Sequence, residues 1–201
     1  MTPDDALQVL RSGNRLFLND APRQPALDRK TRLRLAAGQS PFAAYVTCSD
    51  SRVSPELLFG RGLGELFIIR NVGNVLNGNT LGGLEFAVLN LRVPLIVIMG
   101  HEFCGAVEAA FSTVRDKAMF PANVYRAIRP IIPVVADTMK LDQDFEFAVR
   151  ENVRRSVDYL CTRASPRLLE LQKGGDLCVV GAFYSMRTGA VDFFDQHGNP
   201  L

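Results

Sequence analysis

The sequence predicts an α/β fold, a mainly parallel β-sheet flanked by helices with a helical arm at its N-terminus. Short apolar segments of strand length alternate with longer segments whose apolar residues recur at helical spacing. The strand segments are apolar on both faces, as strands buried in a parallel sheet are. A chain of 201 residues that is 47% hydrophobic can bury one compact core. Residues 1–201 are therefore expected to form a single domain, with the arm over residues 1–38 and the core over residues 39–201.

The helical arm is predicted to begin at Thr2-Pro3, an N-cap residue followed by a first-turn proline. Apolar residues then line one face of Ala6–Leu18, and Asn19-Asp20 ends this helix. A second short helix is predicted over Leu27–Ala37, ending at Gly38.

The core is predicted to alternate strands and helices. Strands are predicted over Phe42–Thr47, Leu66–Arg70, Pro94–Met99 and Leu177–Tyr184, with a short edge strand over Val191–Phe194. Helices are predicted over Thr80–Leu91, Gly105–Val114 and Phe145–Leu160. Between the last two helices, Pro121, Pro130 and Pro133 predict an irregular stretch.

The bulk composition argues against several classes of protein. A dispersed net charge of +2 does not suggest a nucleic-acid partner. The N-terminus does not read as a secretory leader, and apolar runs such as Leu95–Met99 are too short to cross a membrane. The four cysteines include no C-x-x-C pair, so neither a disulfide scaffold nor a dithiol redox motif is indicated. We expect a cytoplasmic protein in which Cys161 and Cys178 are buried core residues and His197 is an exposed tail residue.

Three residues of metal-ligating type follow predicted strands. Cys48 ends the first strand, while His101 and Cys104 follow the third. Ligand sites of parallel sheets lie at the carboxyl edge, where these loops meet. Two thiolates and one imidazole suit Zn²⁺ and leave a fourth position open, as in catalytic zinc sites. Residue types and spacing alone leave a second interpretation equally open, an ordinary buried cysteine beside a hydrogen-bonded histidine.

Asp50 and Arg52 lie just after the first of these cysteines. Separated by one residue, they can point the same way and form a two-pronged ion pair that keeps the carboxylate ionised. Such an aspartate could orient a metal-bound water. A plain salt bridge within the loop fits the same pattern.

Several motifs in order along the chain resemble those of the β-carbonic anhydrases. They are Cys48-Ser-Asp-Ser-Arg52-Val53, Arg70-Asn-Val-Gly-Asn74, Gly83-Leu-Glu-Phe-Ala-Val88, His101-x-x-Cys104-Gly-Ala106, Glu151-Asn-Val153 and Val180-Gly-Ala-Phe-Tyr184. The resemblance implies one Zn²⁺ per chain held by Cys48, His101 and Cys104, with Asp50 and Arg52 as the catalytic pair. It implies reversible hydration of carbon dioxide to bicarbonate and a proton, by attack of zinc-bound hydroxide.

The resemblance also implies an apolar substrate pocket at the interface of a homodimer or larger homo-oligomer, whose N-terminal helix packs on the neighbouring subunit. The positions that match substrate-contacting residues are Gln39, Phe67, Val72, Phe86 and Gly105. Taken without the resemblance, the apolar members of this set read as core packing.

The chain departs from the family pattern at several positions. Phe86 stands where many members have tyrosine, and Phe103 lies between two ligands where small or polar residues are common. Members whose aspartate binds zinc and closes the site carry tryptophan and glycine before the first cysteine. Tyr45 and Thr47 occupy those places here, although Arg70 matches an arginine of the same bicarbonate pocket. We therefore expect an open site.

Two other functions are compatible with the same metal site. One is hydrolysis of carbonyl sulfide or carbon disulfide, which the apolar Phe86 and Phe103 would suit. The other is a catalytically silent zinc-binding module, although such structural sites usually have four protein ligands and no need of an arginine-paired aspartate.

Overall fold

A five-stranded sheet lies at the centre of the molecule in the computed structural model, which describes residues 1–201. Its strands are β1 Ala43–Cys48, β2 Leu66–Asn71, β3 Leu95–His101, β4 Cys178–Tyr184 and β5 Val191–Phe194. The order across the sheet is β2-β1-β3-β4-β5, and only the β4–β5 pair is antiparallel. Strands β1 and β3 are buried at every position, as central strands of a parallel sheet covered on both faces should be. The predicted fold class is confirmed.

Nine helices surround the sheet. They are α1 Pro3–Leu18, α2 Arg29–Ala36, α3 Pro55–Leu58, α4 Gly78–Leu89, α5 Gly105–Asp116, α6 Ala122–Ile128, α7 Ile132–Lys140, α8 Phe145–Thr162 and α9 Pro166–Lys173. A single turn of 3₁₀ helix at Val72–Asn74 follows β2.

The side chains of the sheet divide between two apolar layers, because successive residues of a strand point to opposite faces. On one face, Val46 and Ile98 belong to a layer of 27 buried residues that includes residues of α4, α5, α7, α8 and α9. On the other face, Tyr45 and Val97 belong to a layer of 16 buried residues that includes residues of α1 and α3. Cys48 belongs to the first layer, so its side chain lies on the face of the sheet that carries α5.

Helix α1 packs on the sheet of its own chain. It begins with a capping box, in which Thr2 and Asp5 exchange two hydrogen bonds of 3.1 Å. Asn14, only 5% exposed, donates to the carbonyl of Gly189 at 3.0 Å and accepts from the N–H of Val191 at 3.0 Å. The helix thus holds the turn before β5, and its packing on a neighbouring subunit stays a prediction.

The expected irregular stretch between the last two predicted helices is wrong, because α6 and α7 fill most of it. Pro121 directly precedes α6, and Pro133 lies in the first turn of α7. Backbone N–H groups in the first turn of a helix have no intrahelical acceptor, so proline is tolerated there. Pro55 and Pro166 begin α3 and α9 in the same way, and the sequence patterns predicted neither helix.

No helix of the structure combines the length and apolar character needed to cross a bilayer. Cys161 and Cys178 are only half-buried, which corrects the expectation of full burial. Cys161 lies in the last turn of α8 and Cys178 is the first residue of β4, so both lie at ends of elements. His197 is exposed, as expected.

Candidate metal site

Three ligand-type side chains meet beyond the carboxyl edge of the sheet. Cys48 is the last residue of β1, His101 is the last residue of β3, and Cys104 is the N-cap of α5. Because β1 and β3 are adjacent and parallel, their carboxyl ends lie side by side. The ligand atoms of the three residues lie within 4.8 Å of one another, and all three residues are buried. The fold therefore brings together the residues that the sequence singled out.

The imidazole of His101 is oriented so that its Nε2 can bind a metal ion. Its Nδ1 lies 2.8 Å from the carbonyl oxygen of Glu102, the arrangement in which Nδ1–H donates and Nε2 presents its lone pair. Nε2 is buried and has no hydrogen-bond partner in the chain. A buried polar atom rarely goes without a partner in a folded protein. Together with two sulfur donors, this unpartnered nitrogen fits a zinc ion with one further coordination position.

The two sulfurs are electrostatically unequal. The pKa of the Cys48 thiol is lowered to about 4, chiefly by a hydrogen bond from Cys104 and also by the neighbouring His101 imidazole, although burial opposes this shift. The pKa of the Cys104 thiol is raised, because the neighbouring Cys48 sulfur and burial both favour its protonated form. The backbone of Val107 and Ala106, in the first turn of α5, opposes this rise in the pKa, although the Cys104 side chain makes no capping hydrogen bond to the helix. Thiolates are the form in which cysteines bind metal, so Cys48 is already in its metal-binding form, whereas Cys104 must release its proton when a metal binds.

A second layer of contacts holds Cys48. The backbone N–H groups of Gly73 and Asp50 help to lower the pKa of its thiol. Gly73 has φ of +72°, and a Cβ there would lie 2.4 Å from Cδ1 of Ile131. On the other side of the same residue, Nδ2 of the nearly buried Asn152 donates to the Gly73 carbonyl at 3.2 Å. Only glycine fits this turn, and Asn152 holds the peptide that follows Gly73.

Asp50 and Arg52 form a two-pronged ion pair beside the donors. Arg52 Nε donates to Oδ1 at 2.9 Å and Nη2 donates to Oδ2 at 2.8 Å, while the Arg52 N–H also reaches Oδ1 at 2.9 Å. The arginine side chain first, and then its backbone N–H, lower the pKa of Asp50 to about 2 against the opposing effect of burial. Asp50 is therefore ionised at every physiological pH.

Arg70 braces the loop that carries Asp50. Its Nε donates to the carbonyl of Cys48 at 3.1 Å, and its Nη2 donates to the carbonyl of Asp50 at 2.6 Å. Tyr45 and Thr47 are fully buried in the sheet, and the Thr47 hydroxyl donates to the Met99 carbonyl at 3.3 Å. At the three bicarbonate-pocket positions, Arg70 and Thr47 thus make structural hydrogen bonds, and Tyr45 packs in an apolar layer of the core.

The predicted substrate-contacting residues lie at the surface of the single chain. Val72 and Phe86 are 44% and 48% exposed, and Phe86 contacts the half-buried Phe67 with ring centroids 6.2 Å apart. Core packing therefore does not account for Val72 or Phe86. Gly105, the first residue of α5, is exposed, and so is Gln39 on the loop between α2 and β1. No hydrogen bond of the site involves Gln39.

Sequence reasoning missed the groups that support the ligands. Gly73 and Asn152 belong to motifs noted for the resemblance, but nothing in either motif indicates that one holds the other, 79 residues away. Arg70 was noted only as a possible bicarbonate ligand. A glycine directly followed by an asparagine, just after a predicted strand, is the one local signal, since it favours a turn with positive φ.

A buried cysteine–histidine–cysteine group at the carboxyl edge of a parallel sheet, with an ionised aspartate beside it, is the geometry of a metal-dependent α/β enzyme. The family profile described as carbonic anhydrase matches residues 43–191. Carbonic anhydrase 2 of Mycobacterium tuberculosis is 36% identical over 201 residues, which cover 98% of this chain and 95% of that protein. The chain belongs to the β-carbonic anhydrase family and is an enzyme of the carbonic anhydrase class.

Solved structures agree. The β-carbonic anhydrase CcaA superposes with a TM-score of 0.72 at 26% identity, covering 98% of this chain and 96% of its own. A Coccomyxa β-carbonic anhydrase in complex with acetazolamide gives a TM-score of 0.72 at 29% identity, with 97% and 87% covered. A structure from a study of two tetrameric β-carbonic anhydrases of Sordaria macrospora gives 0.73 at 26% identity, with 85% and 87% covered.

Proposed function

We propose that this protein catalyses the reversible hydration of carbon dioxide to bicarbonate and a proton at one zinc ion per chain, held by Cys48, His101 and Cys104. The observation that carries the proposal is the buried, unpartnered Nε2 of His101, in a group whose ligand atoms lie within 4.8 Å of one another. Membership of the β-carbonic anhydrase family supports the choice of substrate.

Zinc, when bound, supplies a water whose pKa is lowered towards neutrality, and therefore a nucleophile at physiological pH. Asp50, kept ionised by Arg52, accepts the hydrogen of the attacking oxygen and so directs its lone pair at the carbon of CO₂. Arg52 holds both oxygens of that carboxylate, so Asp50 enters the reaction already oriented. The only histidine besides His101 is the exposed His197, so the released proton passes to external buffer or to a carboxylate rather than to a histidine shuttle.

The site is proposed to remain open, with Asp50 on Arg52 rather than on the metal. Three hydrogen bonds from Arg52 hold the carboxylate, and those from Arg70 hold the carbonyls of Cys48 and Asp50. Moving Asp50 onto the metal would break the Arg52 set and strain the braced loop.

The functional unit is proposed to be a homodimer or a larger homo-oligomer. Val72 and Phe86 expose apolar surface near the metal loop, and a second copy would both cover it and complete the pocket wall. The relative from Sordaria macrospora is tetrameric. Sedimentation of Phe86→Lys should show a smaller species than the wild type, and an unchanged assembly would exclude this face from the interface.

Stopped-flow CO₂ hydration from about pH 6.5 to 9, with zinc content measured on the same sample, tests the proposal. About one zinc per chain with turnover rising towards alkaline pH supports it. Bound zinc without turnover would overturn it. Assays of carbonyl sulfide and carbon disulfide hydrolysis on that sample would then distinguish a sulfur-substrate hydrolase from a silent zinc module.

A further inference from the structure

Glu102 directly follows the metal-ligand candidate His101 in the chain. Its side chain is held by the turn between β4 and β5. Its Oε2 accepts from the Ser185 hydroxyl at 3.2 Å and from the N–H of Arg187 at 3.1 Å. Its Oε1 lies 2.9 Å from Nη1 of Arg187. The Glu102 side chain is only 13% exposed, whereas that of Arg187 is 71% exposed. Three donors from one turn therefore fix a mostly buried carboxylate.

The backbone of Glu102 faces the metal site. Its N–H donates to the Tyr184 carbonyl at 2.9 Å and so extends the β3–β4 ladder by one residue. Its carbonyl is the group that lies 2.8 Å from His101 Nδ1. The direction of that carbonyl determines which imidazole nitrogen carries the proton and where Nε2 points. The side chain and the carbonyl of one residue thus link the β4–β5 turn to the imidazole.

Phe103, the next residue, is held in an unfavourable conformation by two arginines. Its φ is +57°, a left-handed value that is costly for any residue with a Cβ. The Arg187 guanidinium lies over its ring at 4.7 Å from the centroid. Arg52 Nη2 reaches its carbonyl at 3.4 Å, from the side of the Asp50 pair. Contacts from Arg187 to the Phe103 ring and from Arg52 to the Phe103 carbonyl therefore fix the path of the loop between His101 and Cys104.

We propose that Glu102 and Arg187 act as positioning residues for the metal-ligating imidazole, with the β4–β5 turn as the clamp that aims the Glu102 carbonyl at His101 Nδ1. This inference rests on the proposed role of His101 as a zinc ligand. An ordinary exposed ion pair would not explain the arrangement, because the carboxylate also takes a backbone N–H and a hydroxyl and is shielded from water. Neither residue touches substrate, so both act only through His101 and the loop.

The test compares the zinc-loaded wild type with Glu102→Gln, Arg187→Ala and Arg187→Lys. Arg115→Ala is the matched control, since Arg115 forms a similar 2.9 Å pair with Asp116 at an exposed site on α5. Zinc affinity is measured by competition with a chromophoric chelator, and ligand geometry by the visible spectrum of the cobalt-substituted protein. Midpoints of thermal unfolding of the metal-free proteins monitor the fold separately from zinc binding, because bound zinc would itself raise the midpoint.

Glu102→Gln should weaken zinc binding by about tenfold, the lower end of the range for groups that orient metal-bound histidines, and should shift the cobalt bands. Arg187→Ala should give a smaller change in the same direction, Arg187→Lys should recover part of it, and Arg115→Ala should give none. If Glu102→Gln has the zinc affinity and cobalt spectrum of the wild type, the proposed positioning role is wrong. If Glu102→Gln does not fold, the same result for Arg187→Ala, at an exposed side chain, refutes the proposal instead. Failure of the wild type to bind zinc would instead overturn the proposed function.

Discussion

Replacing Gly73 by alanine should destabilise the fold and the Cys48 ligand together. The added Cβ would lie 2.4 Å from Cδ1 of Ile131 and 2.9 Å from Cβ of Ala106. Left-handed backbone costs a residue with a Cβ about 1 to 2 kcal/mol, and overpacking a well-filled core costs about 1 to 3 kcal/mol. We expect a loss of about 2 to 5 kcal/mol, a large part of the roughly 5 to 15 kcal/mol that stabilises a typical domain.

The measurement is urea unfolding with linear extrapolation to water, accompanied by zinc content. Gly175→Ala is the matched control, because Gly175 also has positive φ, +78°, but an added Cβ would meet nothing within 4 Å. It should lose only the backbone contribution. If Gly73→Ala costs no more than Gly175→Ala, the steric part of the argument is refuted.

A second variant isolates the clash with Ile131. Ile131→Val removes the Cδ1 atom nearest the new Cβ and alone costs about 1 kcal/mol. In that background, Gly73→Ala should cost about 1 to 2 kcal/mol less than in the wild type. If the free energies of unfolding lost by the two single variants simply add in the double variant, Cδ1 of Ile131 is not the source of the steric cost.

Three further outcomes are expected. Cys48→Ser should lose both zinc and CO₂ hydration, whereas the control Cys161→Ser, at a half-buried cysteine on α8, should keep both. Metal analysis and a stopped-flow assay measure the two properties. If Cys48→Ser keeps both, the ligand assignment is wrong. Asp50→Asn should keep about one zinc per chain yet lower the hydration rate, by about 100-fold for loss of an oriented acceptor; an unchanged rate would refute that role. Burial alone would raise the pKa of Glu151, but hydrogen bonds from Arg154 and Arg155 outweigh it and lower the pKa below its ordinary 4.5. A lowered carboxyl pKa stabilises the fold above the ordinary value, and this contribution is lost as pH falls through the folded-state pKa. Glu151→Gln should therefore reduce the free energy of unfolding by about 1 kcal/mol at pH 7 and by progressively less below pH 4.5, and a constant difference in denaturation at all pH values would argue against it.

The patterns that predicted the fold correctly were those in which local composition and burial coincide. Strands β1 and β3 are apolar at nearly every position because both faces are covered, and the edge strand Val191–Phe194 was predicted with its observed bounds. The prediction failed between α5 and α8, where prolines were read as helix breakers. Whether Pro133 breaks a helix or begins one depends on the three residues that follow it and on what they pack against.

The placement of the three metal donors followed from topology, since adjacent parallel strands present their carboxyl ends together. The contacts that orient those donors could not be predicted. Glu102 and Arg187 are 85 residues apart, and the carbonyl that takes the His101 proton is a backbone atom with no sequence signature. Such contacts depend on the register of β3 against β4 and on the shape of the following turn, which no single-sequence pattern specifies.

The contact between α1 and the turn before β5 determines which contacts of the protein can form early during its synthesis and which must form late. A ribosome releases Asn14 early, but its partner Val191 follows 177 residues later. Arg187 belongs to the same late segment. A nascent chain that ends just before Ser185 would already contain all three metal ligands. It would lack the contacts from Ser185 and Arg187 to Glu102, and the contact between Asn14 of α1 and Val191. The site can thus be assembled in outline during translation, but its bracing contacts form only after the last strand has emerged.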